Sequence, residues 1–103
     1  RKRMTQEQLI DEFLYGATEG ICGGSGNLKI KGDKLVHYQT AIAERYGEKI
    51  IINVTRYSLV TGRLQKMLNQ KVAEEKQIIA RRVKEGHNGS LVEFTDLQNS
   101  NEV

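Results

Sequence analysis

The chain has 103 residues, 38% of them hydrophobic and 28% charged, with a formal net charge of +3. That length supports one domain on one core, and its longest aliphatic run, residues 50–52, is far short of the ~20 residues that span a bilayer. One cysteine, Cys22, rules out an internal disulfide, and the basic start Arg1-Lys2-Arg3 leads into no apolar segment, so a reducing, cytoplasmic setting is expected.

Thr5-Gln6-Glu7-Gln8 has the form of a capping box, and Leu9, Ile10, Phe13, Leu14 and Ala17 follow at helical spacing. A helix is predicted from about Gln6 to about Tyr15, ended by Gly16, with its apolar stripe turned to the core. The glycine-rich run at 20–26 follows a helix and precedes a strand, the reverse of a phosphate-binding loop, and no Gly-Lys-Ser/Thr completes it. It reads as a connector, and Cys22 within it as a packing residue rather than a nucleophile.

From Asn27 the hydrophobic period changes to two. Leu28 and Ile30 alternate with Lys29 and Lys31, Gly32-Asp33 forms a turn, and residues 34–38 return as a second strand. Residues 40–45 alternate again, Tyr46-Gly47-Glu48 turns the chain, and residues 49–55 have the strongest β-propensity. The result is an antiparallel meander of three or four strands, with Leu28, Ile30, Ile42, Ile50, Ile52 and Val54 on one face. His37 and His87 have no second ligand at a metal-like spacing, so no metal or other cofactor is expected.

Ser58 is a good N-cap, and Leu64, Met67, Leu68, Val72, Ile79 and Val83 lie near one helical stripe up to Gly86. The spacing predicts a long basic helix of about 28 residues, ~40 Å, weakened by Gly62 in its first turn. Its distal half would fold back, project, or pair with a second copy by burying Ile78, Ile79 and Val83, which makes a homodimer through this helix one expected outcome. Residues 90–94 add a short final strand. The predicted architecture is thus a single α+β domain over residues 1–97: an N-terminal helix, an antiparallel three- to four-stranded meander, a long C-terminal basic helix and a short final strand. Residues 1–4 and 98–103 are expected to be disordered ends.

Charge is concentrated in the same region. Between Arg56 and Lys84 eight basic residues stand against Glu74 and Glu75, whereas the rest of the chain holds eight basic and eleven acidic residues. Such asymmetry points to an acidic partner.

The motif Asn27-Leu28-x-Ile30-x-Gly32-Asp33-x-Leu35-x-x-Tyr38-x-Thr40-x-Ile42-Ala43, followed by Ile50-Ile51-Ile52-Asn53-Val54-Thr55-Arg56-Tyr57-Ser58, resembles a family of small proteins from phages and prophages of Gram-positive bacteria. Its residues are turn, core and cap, so the resemblance carries over no functional residue. It implies a setting in the cytoplasm of a bacterial host, where small phage proteins include DNA-binding accessory factors and inhibitors of host defence, anti-CRISPR proteins among them. The function expected is a non-enzymatic inhibitor that binds a host defence complex, a CRISPR effector nuclease, through a basic surface. A DNA mimic would be acidic, so this basic chain is expected to block a protein surface, drive its target to dimerise, or touch guide RNA or target DNA.

The alternative is a nucleic-acid-binding accessory protein using the basic helix 58–85. Arg56, Arg63, Lys66, Lys71, Arg81 and Arg82 would then contact phosphates and Tyr57 would stack, without a helix-turn-helix or zinc signal for sequence readout. These seven residues are the candidate site. No paired carboxylates, triad spacing or metal cluster marks an enzyme.

Overall fold

Entry into the fold is fixed by the capping box. Thr5 Oγ1 accepts from the Gln8 N–H at 3.1 Å, and Gln8 Oε1 accepts from the Thr5 N–H at 2.9 Å. These bonds start α1, Gln6–Leu14, whose buried face is Leu9, Ile10 and Phe13. Gly16, at φ +108°, turns the chain out of it. The computed structural model describes residues 5–21 and 27–95.

Six strands follow: β1 Glu19–Ile21, β2 Leu28–Lys31, β3 Lys34–His37, β4 Thr40–Tyr46, β5 Lys49–Asn53 and β6 Gln77–Ala80. They lie in sequence order in one sheet, antiparallel from β1 to β5, with β6 parallel to β5. Between β5 and β6 runs α2, Leu59–Lys71, the crossover that a parallel pair requires. The Gly32-Asp33 and Gly47-Glu48 turns place glycine at φ +64° and +62°. A third two-residue turn, Tyr38-Gln39, forces a tyrosine to φ +58°, where L-residues other than Asn and Asp are uncommon.

The helices cover one face of the sheet, and the segment after β6 covers the β4–β6 part of the other. On one, Leu28, Ile30, Leu35, Ile42, Ile50 and Ile52 pack against Phe13 of α1 and Leu64 and Leu68 of α2. A β-bulge sets this pattern: Leu35 pairs with Ala43 but Val36 with Ala41, so Ile42 is the extra residue and points to the same side as Ala43. On the opposite face Ala41, Ile51 and Ala80 are closed over by Val83 and Leu91 from the segment 81–95. That strap is pinned by polar groups: the Glu44 carboxylate accepts from the Leu91 N–H at 2.6 Å, Thr40 Oγ1 from the Gly86 N–H at 2.8 Å, and the His87 carbonyl from the Ala41 N–H at 2.8 Å.

The expected long helix does not form. α2 stops at Lys71, Val72 is extended (φ −103°, ψ 127°), one 3-10 turn follows at Glu74–Lys76, and the chain then enters β6. Two physical causes are visible. Gln77 Nε2 donates to the Asn69 and Val72 carbonyls at 3.0 and 2.9 Å, satisfying groups that the end of α2 leaves open. Gln77 to Ala80 also ladder onto β5, with Ile51 beside Ile78 and Ile52 beside Ile79, so β-branched residues complete a sheet edge instead of a helix face.

The other parts of the expected architecture change with it. The sheet has six strands of mixed direction, not three or four antiparallel ones. Residues 90–94 do not form a strand: a 3-10 turn spans Val92–Phe94, and the one isolated bridge among the described residues joins Thr95 to Ala80. Val54 lies beyond β5 and is exposed. The case for a homodimer through the helix loses its basis, since Ile78 and Ile79 belong to the sheet and Val83 is buried. Cys22 and the ends expected to be disordered lie outside the described residues.

Candidate partner-binding groove

The linker from Val54 to Ser58 leaves the sheet and is tied down at each step before α2 begins. Asn53 is fully buried: its Nδ2 donates to the Ala41 carbonyl and the Tyr57 hydroxyl, both at 3.0 Å, and its Oδ1 accepts from the Thr55 N–H at 2.9 Å. The Tyr57 hydroxyl passes the chain on by donating to the Val83 carbonyl, and Thr55 Oγ1 accepts from the Val83 N–H at 2.9 Å. From the helix side, Gln65 Nε2 donates to the Asn53 and Thr55 carbonyls at 2.6 and 2.8 Å. These bonds hold the linker and α2 at a fixed spacing.

Ser58 caps α2, its Oγ accepting from the Thr61 N–H at 3.2 Å. Thr61 Oγ1 lies 3.1 Å from Ser58 Oγ and 2.9 Å from Nδ1 of His37, which is only 3% exposed. Burial lowers the His37 pKa below its ordinary value of 6.5, so the ring is a neutral hydrogen-bonding group beneath the helix start. His87 is spent on the strap, its Nε2 3.0 Å from the Ser90 carbonyl oxygen and its ring edge-on to Phe94. Among the described residues no cluster of His, Cys, Asp and Glu is arranged to hold a metal ion, and no helix is long and apolar enough to cross a membrane.

Between the linker and the first turns of α2 lies an open hollow of about 710 Å³, lined by Arg56, Tyr57, Leu59, Gly62, Arg63 and Lys66 together with Val54 and Gln65. It continues along the helix past Lys66 to Asn69 and Gln70. No acidic side chain lines it, and Arg56, Arg63 and Lys66 are in no ion pair among the described residues. Beside these cations stand unusual apolar groups: Leu59 is 88% exposed and Val60 50%. A leucine left in water next to unpaired cations forfeits the ~25 cal/mol per Å² that burial of its surface would contribute.

Of the seven residues expected from sequence, the structure brings together Arg56, Tyr57, Arg63 and Lys66 in this hollow. Tyr57 contributes its half-buried ring, its hydroxyl being committed to Asn53 and Val83. Lys71 lies outside the lining of the hollow. Its ammonium pairs with Asp11 at 2.9 Å and Glu7 at 3.0 Å on α1, and those hydrogen bonds, Asp11 first, raise its pKa. It is a clamp between the two helices. Arg81 and Arg82 are exposed on the strap, outside the lining of the hollow, on the segment that Val83 ties to the linker.

Sequence reasoning missed Val54, Leu59 and Gly62 as site residues, although one signal marked the last two. Leu59, Gly62, Arg63 and Lys66 follow the i, i+3, i+4, i+7 spacing of one helix face, opposite the buried Leu64 and Leu68. A leucine on the outward stripe of an otherwise polar face is out of phase with the core. A second, shallower hollow of about 680 Å³ lies at the Tyr38-Gln39 turn against Glu85 and Gly86. There the Tyr38 hydroxyl accepts from Asn27 Nδ2 at 2.9 Å. Comparison of the chain with known protein families, curated proteins and solved structures finds no match.

Proposed function

We propose that the protein is a non-enzymatic inhibitor that binds a host defence complex, a CRISPR effector nuclease, by docking an acidic patch of that complex in the α2 groove. The observation that carries the binding mode is the groove's composition: Arg56, Arg63 and Lys66 unpaired around exposed Leu59, with no carboxylate in the lining. Arginine and tyrosine are enriched among the anchors of protein–protein interfaces, exposed Leu59 adds apolar surface for a partner to cover, and the unpaired cations supply steering toward an acidic surface. The phage setting comes from the resemblance of residues 27–58. Affinity capture from a bacterial host lysate tests the reading. The wild-type chain should retain a protein partner after nuclease treatment, and Arg56→Glu/Arg63→Glu/Lys66→Glu should lose it while staying folded. Equal capture by the folded triple variant would remove the groove from the mechanism.

The three unpaired cations also favour a second reading, contact with nucleic acid phosphates. In that case capture is abolished by nuclease, and binding to bare oligonucleotide falls steeply as salt rises.

A further inference from the structure

Gly62 is the second residue of the outward stripe of α2 and has a helical backbone, where glycine is about 1 kcal/mol less favourable than alanine. Glycine in a helix is normally explained by a crowded neighbour or a positive φ. Neither holds here: a Cβ built at Gly62 meets nothing within 4 Å, and its φ is not positive. Among the described residues nothing calls for the missing side chain. Its neighbours on the stripe are exposed Leu59 and the unpaired Arg63 and Lys66, and all four line the same hollow.

We infer that Gly62 is the point at which an acidic, apolar-faced helix of a partner protein crosses α2 at close range. The inference rests on the binding role proposed for the groove and specifies its occupant. The i, i+3, i+4, i+7 stripe is the row that another helix packs on, and a glycine within it lets the two backbones approach more closely than any side chain allows. Leu59 then covers an apolar residue of the visiting helix. Arg63 and Lys66 on one side, with Arg56 across the hollow on the linker, face its carboxylates. A second copy of this chain is disfavoured as the occupant, because α2 against α2 would bring like charges together on both sides. Nucleic acid would use the cations and the Tyr57 ring but leave Leu59 uncovered beside phosphates, whereas an apolar-faced helix covers it.

The experiment separates Gly62 from the groove as a whole. The probe is a dye-labelled, end-capped helical peptide of about 15 residues made of Leu, Ala and Glu, long enough to hold some helix in water. Matched peptides carry Gln or Lys in place of Glu, and a labelled single-stranded oligonucleotide provides the nucleic-acid comparison. Binding is read by anisotropy and stability by thermal unfolding. Gly62→Ala is expected to raise Tm by roughly 2–6 °C, because alanine fits the site and narrows the unfolded ensemble. It is also expected to weaken the Glu peptide at least about tenfold, the usual scale for overfilling a packed contact, and Gly62→Leu should abolish binding. A more stable protein that binds worse is an outcome no structural role for Gly62 produces. Unchanged peptide affinity in Gly62→Ala, with Arg63→Glu/Lys66→Glu losing the peptide, overturns the close crossing and leaves the groove standing. No preference for the Glu peptide over the Lys peptide overturns both. Binding of the oligonucleotide alone replaces the protein partner with nucleic acid.

Discussion

Asn53→Leu is the perturbation that tests most directly how the groove is held. The side chain is fully buried and makes three hydrogen bonds, to the Ala41 carbonyl, the Tyr57 hydroxyl and the Thr55 N–H. Leucine has the same branched skeleton of four side-chain heavy atoms and is bulkier, so the change removes polar bonds without opening a cavity. Three bonds at about 1 kcal/mol each, with the partners left in place and partly recovered apolar burial, give a net loss of about 2–4 kcal/mol. For a domain of this size that corresponds to a fall in Tm of roughly 10–25 °C. Urea unfolding followed by far-UV circular dichroism should show a lower midpoint with an unchanged slope. A double-mutant cycle with Tyr57→Phe should show coupling of about 0.5–3 kcal/mol, because the Tyr57 hydroxyl bridges Asn53 to Val83. A loss below about 1 kcal/mol, or additive single variants, would refute the view that Asn53 is the hub of the linker.

Three further outcomes follow from the same structure. Burial lowers the His37 pKa, so the folded chain binds fewer protons there than the unfolded chain; its stabilising effect is complete above pH 6.5 and fades as pH falls below that value. His37→Gln, measured by urea unfolding at stepped pH, should flatten this part of the profile, and an unchanged slope between the two proteins would contradict the assignment. Lys71→Glu should lower Tm at low salt, with the deficit shrinking at high salt, and should leave groove binding intact because Lys71 faces Glu7 and Asp11. Glu44→Gln weakens the charged bond to the Leu91 N–H and should speed amide exchange across residues 81–95 more than across β2 and β3; uniform acceleration would argue against a locally held strap.

Local chemistry was legible in the sequence and non-local pairing was not. The Thr5/Gln8 box, the Gly32-Asp33 and Gly47-Glu48 turns and the Ser58 cap act within a few residues, and each stands where its residues suggested. The helix-facing aliphatics Leu28, Ile30, Ile42, Ile50 and Ile52 followed from period-two spacing, even though the bulge at Ile42 shifts β4 by one residue. β6 was hidden because four residues, Gln77 to Ala80, fit a helical stripe as well as a strand, and the partner that decides between them, β5, lies far upstream in parallel register. The site divides the same way. Arg56, Tyr57, Arg63 and Lys66 are neighbours in sequence and in space, whereas Lys71 is claimed by carboxylates some sixty residues earlier that no local pattern reveals.

The parallel β5–β6 pair has a consequence for the order of assembly. Strands β2 to β5 are joined by two-residue turns and can zip together from their ends, but β6 can pair only once the long connection that contains α2 has brought the chain back across the sheet. Residues 80 and 83, which fasten the linker through the Val54 N–H, Thr55 and Tyr57, arrive with that last step. The linker side of the groove is therefore complete only once β6 and the start of the strap are in place. A partner seated on α2 and the linker would grip contacts that exist only in the closed crossover, slowing unfolding of the chain more than it speeds folding.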